Sequence, residues 1–589
     1  MLLGMTLPIA VAVGLHPIDG LVVVLYLIGI TIMGVWMGRH VSGLDEFFMP
    51  RKFGKGMMMM HAFGTGTASD QAVTVSSATF RSGLSGIWYQ WLWLFVTPFY
   101  WLIAPVFRRF RAITTADVYE LRYDRSVAIL FAIVGMANMC IKIGVMLKGA
   151  GALADAGTGG LIEADVAIVA VTLMFVFYGA VGGLGAAIVT DYIQGILTIA
   201  FSFMLLPFIL WEVGGMAGVR ETITNEAMLS LVAPGKISLF FVVMMSLQAL
   251  VGIVAQPFIM GVCAAGKTEW EGRVGIVGGN LIKRLCTAAW SLTAIAAVAW
   301  YIQIGNDPAL LDVDSLKQTA DGIYGEVAHT FLPRLVPGLL GLFLAALLAG
   351  VMSSCDSFMI SSAALFTENI YKPLRCGMSD RHYVRVGRET SVVVVAGGVA
   401  FAFWVPSVVK ALEIWFMIAP MMGLVFWIGL FWRRMTVAGA WATTVTGFAA
   451  WWVSTQAWFI NGLGMVPGSE SLRLLWVEGD KAVVYLPWQI LFYGVTASIV
   501  GILVSLFTRP VSPEKLNRFY QLSRTPVQPG EQVLLPCTLP AATPVIDRPM
   551  LLTAGGLEIP RPSRTSVVGF MAIWLFVGGI VGAFVWIVS

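Results

Sequence analysis

Charge is what this sequence lacks most. Asp, Glu, Lys and Arg make up only 12% of its 589 residues, against 58% hydrophobic, whereas a soluble domain carries about a quarter charged residues. A soluble enzyme or signalling domain is thereby excluded, and the chain reads as a polytopic protein of the lipid bilayer. It has no Walker A sequence, no glycine-rich nucleotide fingerprint and no polar stretch long enough for an ATP-hydrolysing domain. Uphill work must then draw on an ion gradient, and no enzymatic reaction is expected. Cysteine is scarce too: six residues, none with CxxC spacing and none in a segment assigned to the outer face. That supports neither a disulfide framework nor a zinc site. A net charge of only +4, with the basic residues in short loops, argues against nucleic-acid binding. The start, MLLGMTLPIAVAVGL, lacks the basic stretch of a cleaved signal and is expected to be an ordered or membrane-grazing tail.

What is present is apolar sequence in helix-length runs, with a mean hydropathy of +0.83. At about 20 residues per span, fourteen spans are expected. They are residues 18–38, 57–80, 84–107, 126–154, 165–183, 186–213, 237–262, 285–305, 337–371, 390–405, 410–432, 437–459, 486–507 and 566–588. The loops after spans 1, 3, 7, 9, 11 and 13 hold 27 of the 37 Lys and Arg, with Lys283 and Arg284 counted in the loop after span 7. Basic loops stay in the cytoplasm, so both termini are expected to be extracytoplasmic, at the plasma membrane. Residues 509–565 are rich in proline; they are expected to form a cytoplasmic linker, extended or partly disordered, ahead of a final span at 566–589.

Within the apolar runs, GTGTASDQ at residues 64–71 stands out because Asp70 sits inside an otherwise greasy segment. A carboxylate at membrane depth is costly and normally marks an ion or substrate path. Gly64 and Gly66 weaken the helix where carbonyls can be freed for a cation. Span 7 is interrupted in turn by Gly252, Gln256 and Pro257. Broken helices five spans apart suggest two repeats, residues 57–213 and 237–432, with a midplane site between them. Residues 1–56 would then hold the tail, first span and first cytoplasmic loop, and 433–508 two additional spans. In span 9, Gly350, Ser353, Ser354, Asp356 and Ser357 place hydroxyls and a carboxylate on consecutive turns, oxygen ligands of the kind a hard cation prefers. Membrane serines also bond back to their own helix. Asp191 enters span 6 in its first turns, where a carboxylate also complements the helix dipole.

Four stretches carry a family resemblance. GGLGAAIVTDYIQG, AQPFIMGVCAAGKTEWEGR, FMISSAALFTENIYKP and ITTADVYELRYD resemble signatures of the sodium:solute symporters, in matching order over spans 1 to 13. One glycine is inserted in the AAGK segment. The resemblance implies an all-α LeuT-type inverted repeat of five plus five helices with flanking helices, alternating access, and Na+ as the transported coupling ion. It implies a main sodium site of carbonyls from Gly64, Thr67 and Gly350 with the hydroxyls of Ser353 and Ser354. Asp70 matches a supporting aspartate of the proline-transporting branch, and Asp191 one beside the cytoplasmic exit of the ion. Some members hold a second ion at the turn where this chain offers Asp356 and Ser357. Asp replaces the usual hydroxyl or small residue there, which suits a second sodium, a carried proton, or a pair with Lys142 or Lys148.

By the same resemblance the solute would lie against Gln71, Lys142, Gln248, Gln256, Trp415 and Phe416. Lys142 would draw an anionic or zwitterionic solute, or else snorkel or pair internally; the aromatics would stack on a ring or fill the core. The expected function is sodium-driven import of a small organic solute, an amino acid such as proline or an organic acid. Alternatives are a sugar or other solute of the same family, proton coupling through Asp356 and Asp70, and a transporter-like sensor. No obligate protein partner is evident.

Overall fold

The computed structural model describes residues 16–38, 48–49 and 51–589, apart from 234, 236, 479–480, 529, 532, 534, 541–542 and 544–547. The N-terminal tail, and Arg39 and Lys236 of the charge count, lie outside the described residues. The chain is helical nearly throughout. In order come α1 (Pro17–Gly38), α2 (Lys55–Gly64), α3 (Ser69–Ser82), α4 (Trp88–Arg109), α5 (Thr115–Arg122) and α6 (Arg125–Gly157). They are followed by α7 (Ala164–Val213), α8 (Leu239–Gly252), α9 (Phe258–Ala264), α10 (Glu269–Gln303), α11 (Val313–Phe331) and α12 (Leu339–Ala364). The last are α13 (Asp380–Trp404), α14 (Val408–Phe431), α15 (Val437–Ser454), α16 (Leu486–Phe507), α17 (Pro513–Arg524) and α18 (Arg564–Val588). Short helices, among them Gly215–Thr222 and Ala457–Gly464, and two antiparallel hairpins complete it, β1 (Leu475–Glu478) with β2 (Lys481–Val484), and β3 (Met550–Ala554) with β4 (Leu557–Pro560).

Helical backbone occupies each of the fourteen expected segments. Among the described residues, nine helices are long and apolar enough to cross a bilayer, or ten if the bent pair α8–α9 is one span. The expected breaks differ in place. Spans 5 and 6 run together as the 50-residue α7, because glycine weakens a helix by about 1 kcal/mol without forbidding it. Helix α10 begins at Glu269, earlier than expected, on a capping box between Thr268 and Glu271. Lys283 and Arg284, counted above as loop residues, are therefore buried inside a spanning helix.

Two helices do break. Gly66 has a φ of 79°, and the chain between α2 and α3 leaves helical geometry at Thr65 and Ala68. Between α8 and α9 the axis bends by 73° at Gln256, whose ψ of 118° is what a following proline imposes. Helix α10 packs closely on α2: a Cβ at Gly279 would lie 2.7 Å from the Met59 carbonyl oxygen and the Phe63 nitrogen. This close approach holds the next turn of α10, with Lys283, against the break.

The proline-rich linker is ordered in its described part. Leu516, Phe519, Tyr520 and Leu522 of α17 are buried, and Phe519 packs on Phe110. Arg111 bonds Glu531, at 2.9 Å from Nη2 to Oε2, and donates to the Thr525 and Pro526 carbonyls. Glu558 of β4 takes Arg433 at 3.3 Å and Arg524 at 2.5 Å. A composition too poor to build its own core thus docks on one already present, and charge pairs hold the strap down. It leads into α18, which lies along α4 through Phe584 on Trp91 and Phe570 on Phe99.

Burial raises the proton affinity of the Glu531 carboxyl, but the Arg111 hydrogen bond and charge and the Gln528 N–H lower it further, so it sits below the ordinary carboxylate range. Its stabilisation is present above the ordinary Glu value of about 4.3 and is lost as pH falls through the lower folded value. Glu531→Gln is expected to cost about 2 kcal/mol of strap stability, measured as faster limited proteolysis within residues 509–563. Equal cleavage rates in variant and parent would refute this role for the pair.

Candidate functional site

A break in a helix frees peptide groups that a bilayer cannot hydrate. Here side chains from three helices claim them. Ser354 of α12 donates its hydroxyl to the Gly64 carbonyl at 2.7 Å and accepts from the Gly66 N–H at 3.2 Å. Lys283 of α10 donates its ammonium to the Thr65 carbonyl at 2.9 Å. Gln71, in the first turn of α3, donates its side-chain amide to the Gly66 carbonyl. The Thr67 N–H returns to the Gly64 carbonyl at 3.0 Å.

Beside the break, Ser353 donates to Asp191 of α7, with Thr190 at 3.4 Å from the same hydroxyl. The other Asp191 oxygen lies 2.7 Å from His61 Nδ1, itself 3.1 Å from the Thr65 hydroxyl. All of these side chains are buried. Only glycine allows the approach, since a Cβ at Gly64 would lie 2.8 Å from Asp191 Oδ1. Gly350 comes against Thr198 and Ala68, with its Cβ direction 3.5 Å from the Thr198 hydroxyl and 3.8 Å from the Ala68 Cα. The structure therefore brings Gly64, Ser353, Ser354 and Asp191 together, with Thr67 bonded to the Gly64 carbonyl and Gly350 against Ala68. Carbonyl, hydroxyl and carboxylate oxygens together form a donor set that suits a hard cation. Asp356 and Ser357 lie further along α12, also buried.

Asp70 has a different partner. It takes the Lys142 ammonium at 2.9 Å, and the same ammonium lies 4.7 Å from the centre of the Trp415 ring. Trp415 donates to Asn138 at 3.2 Å and leans on Trp93. A cavity of ≈ 50 Å³ opens here, and Gln71, Lys142, Gln256 and Trp415 all line it. Gln248 and Phe416 border a smaller hollow alongside, of ≈ 10 Å³, which shares Trp93, Gln256 and Trp415. Gln248 gives its amide to the Phe416 carbonyl at 2.6 Å, so these two partly satisfy each other.

Sequence reasoning missed three residues at the site: His61, Lys283 and Arg284. His61 lies one turn before Gly64 in MMMMHAFG, where a lone polar residue in an apolar run was a readable signal. Lys283 and Arg284 follow GIVGGNLI, and the small residues spaced along that stretch mark a close-packing face.

A sequence model of the sodium:solute symporter family matches residues 47–447. Sodium/glucose cotransporter 2 of Rattus norvegicus is 25% identical over 557 residues, covering 85% of this chain and 80% of that one. The osmoregulated proline transporter OpuE of Bacillus subtilis is 23% identical over 505 residues, covering 82% of this chain and 94% of its own. Among solved structures, a Na+-coupled sialic acid symporter in a substrate-bound outward-open state superposes with a TM-score of 0.67 at 18% identity, over 84% of this chain and 99% of that one. That likeness shows the fold, an all-α polytopic LeuT-type inverted repeat.

Gly64→Ala is expected to push Asp191 off His61 and Ser353 and to cost about 1–3 kcal/mol by overpacking. A thermal melt of the detergent-solubilised protein measures it, and a melt unchanged from the parent would contradict the contact.

Proposed function

This chain belongs to the sodium:solute symporter family, and on that premise we propose that it imports a small organic solute together with sodium, by alternating access. The observation that carries the reading is the meeting of Ser354 with the Gly64 carbonyl, and of Ser353 with an Asp191 that lies against Gly64, at a broken helix. Carbonyls of Gly64, Thr67 and Gly350 and the hydroxyls of Ser353 and Ser354 take the ion. Asp70, Asp191, Asp356 and Ser357 supply the charge and polarity that stabilise it or hold a second ion. The solute, an amino acid such as proline or an organic acid, occupies the cavity bordered by Gln71, Lys142, Gln256 and Trp415, with Gln248 and Phe416 beside it. Among relatives, glucose and proline transporters support a small polar solute.

The molecule sits in the plasma membrane with its basic loops in the cytoplasm and both termini outside. Residues 57–213 and 237–432 form the two repeats whose relative rocking alternates access, while 433–508 and 566–589 brace them. A proton-coupled reading is favoured by one observation, the buried His61–Asp191 hydrogen bond of 2.7 Å beside the broken helix.

Uptake into proteoliposomes separates the two. Under an imposed inward sodium gradient the parent is expected to accumulate solute, and under a proton gradient alone it is not. Replacing both Ser353→Ala and Ser354→Ala is expected to raise the sodium concentration for half-maximal uptake by about tenfold, equivalent to about 1.4 kcal/mol of binding. Sodium dependence identical to the parent would remove the two hydroxyls from the ion site.

A further inference from the structure

Among the described residues, two basic side chains in the centre of the molecule have no ion-pair partner. Lys283 and Arg284 are 7% and 1% exposed, inside a helix that crosses the membrane. Among the described residues neither forms an ion pair. Lys283 is held by the Thr65 carbonyl alone. Arg284 gives one nitrogen to the Gln90 carbonyl and, at 3.4 Å, to the Gln90 side-chain oxygen, while its buried Nε has no hydrogen-bond partner. Buried cations on neutral acceptors are costly in a low-dielectric interior, and unpaired ionisable groups at membrane depth mark where a charged ligand passes.

Both residues line the cavity that also receives Lys142. The nearest acids do not line it: Asp70 takes Lys142 through Oδ2, its buried Oδ1 finding no hydrogen bond, and Asp191 is taken by His61 and Ser353. No carboxylate lines the cavity among the described residues, while three cationic side chains and the amides of Gln71, Gln90 and Gln256 do. An amino acid brings an ammonium that would find no acid on these walls, and a sugar would leave both cations uncompensated.

We propose that the solute is a small organic carboxylate without a positive charge, and that Lys283 and Arg284 are the residues that select it. This rests on the symport reading above and narrows its solute to the anionic class. Lys142 is neutralised by Asp70, so selection falls on the adjacent pair in α10. Arg284 offers its planar nitrogens to the carboxylate, as guanidinium groups do where geometry matters. Lys283, held on the Thr65 carbonyl, places a second donor between the solute and the broken helix. The aromatic rings of Trp93, Tyr100 and Trp415 enclose the apolar remainder.

Two separate readouts test this. Binding is read by thermal shift with L-lactate, pyruvate and succinate against lactamide, glucose and proline, each with and without sodium. The carboxylates are expected to raise the melting temperature and the others to leave it unchanged. Arg284→Gln and Lys283→Met should each weaken the carboxylate response by about tenfold or more, with partial rescue in Arg284→Lys. If a variant fails to fold, competition by the six probes in the parent protein decides alone. Stabilisation by glucose or proline with no response to any carboxylate overturns the anion proposal. Transport is read with the same probes under a sodium gradient. Carboxylate binding without sodium-driven accumulation would overturn the symport reading and leave the anion site standing; sodium-driven accumulation of a neutral probe would do the reverse.

Discussion

The structure depends on the treatment of four peptide groups freed where α2 gives way to α3. Water would solvate them in a soluble protein at little cost, but a bilayer interior offers nothing, and each orphan is worth several kcal/mol. Ser354, Lys283 and Gln71, from α12, α10 and α3, each cap one or more of them. Those caps lock together helices that are far apart in sequence. The same groups that a coupling cation would need are therefore kept polar, oriented and dry before any ion arrives. Helix packing serves that end: Gly279 brings α10 against α2, and Gly64 makes room for Asp191.

Charge is then arranged by pairing, and the pairs are unequal. Asp70 and Lys142 cancel one another behind the break, and Asp191 is shared between His61 and Ser353 in front of it. Among the described residues, Lys283 and Arg284 have only neutral acceptors. The break thus has carboxylate and hydroxyl oxygens around Gly64 and basic side chains around Thr65 and the adjoining cavity.

Much of this was legible in the residues. Asp70, Ser353, Ser354 and Asp191 stand out because a polar oxygen in an apolar run is conspicuous, and their spacing matches one family's motifs. Lys283 and Arg284 were hidden by the same rule that finds spans: a window of low polarity ends at the first charged residues and assigns them to a loop. Only the capping box at Thr268 and Glu271 signals that the helix starts a full four turns earlier. The order of the linker was hidden for another reason. Its composition cannot sustain a core, and nothing local in it says that Arg111 and Arg433, far away in sequence, wait to receive Glu531 and Glu558. Composition reports what a segment can do alone, and this one is not alone.

The docked strap also changes how the last helix belongs to the molecule. A helix on a long free tether samples a large volume, and its contact with the bundle is diluted accordingly. Here the tether is pinned at Arg111, at Arg433 and at the Trp432 indole, which bonds the Gly555 carbonyl at 3.2 Å, so that little slack remains before Arg564. The effective concentration of α18 at α4 is correspondingly high. Weak ring contacts such as Phe584 on Trp91 then suffice to hold a helix that, as a separate peptide, would be one lipid-facing segment among many.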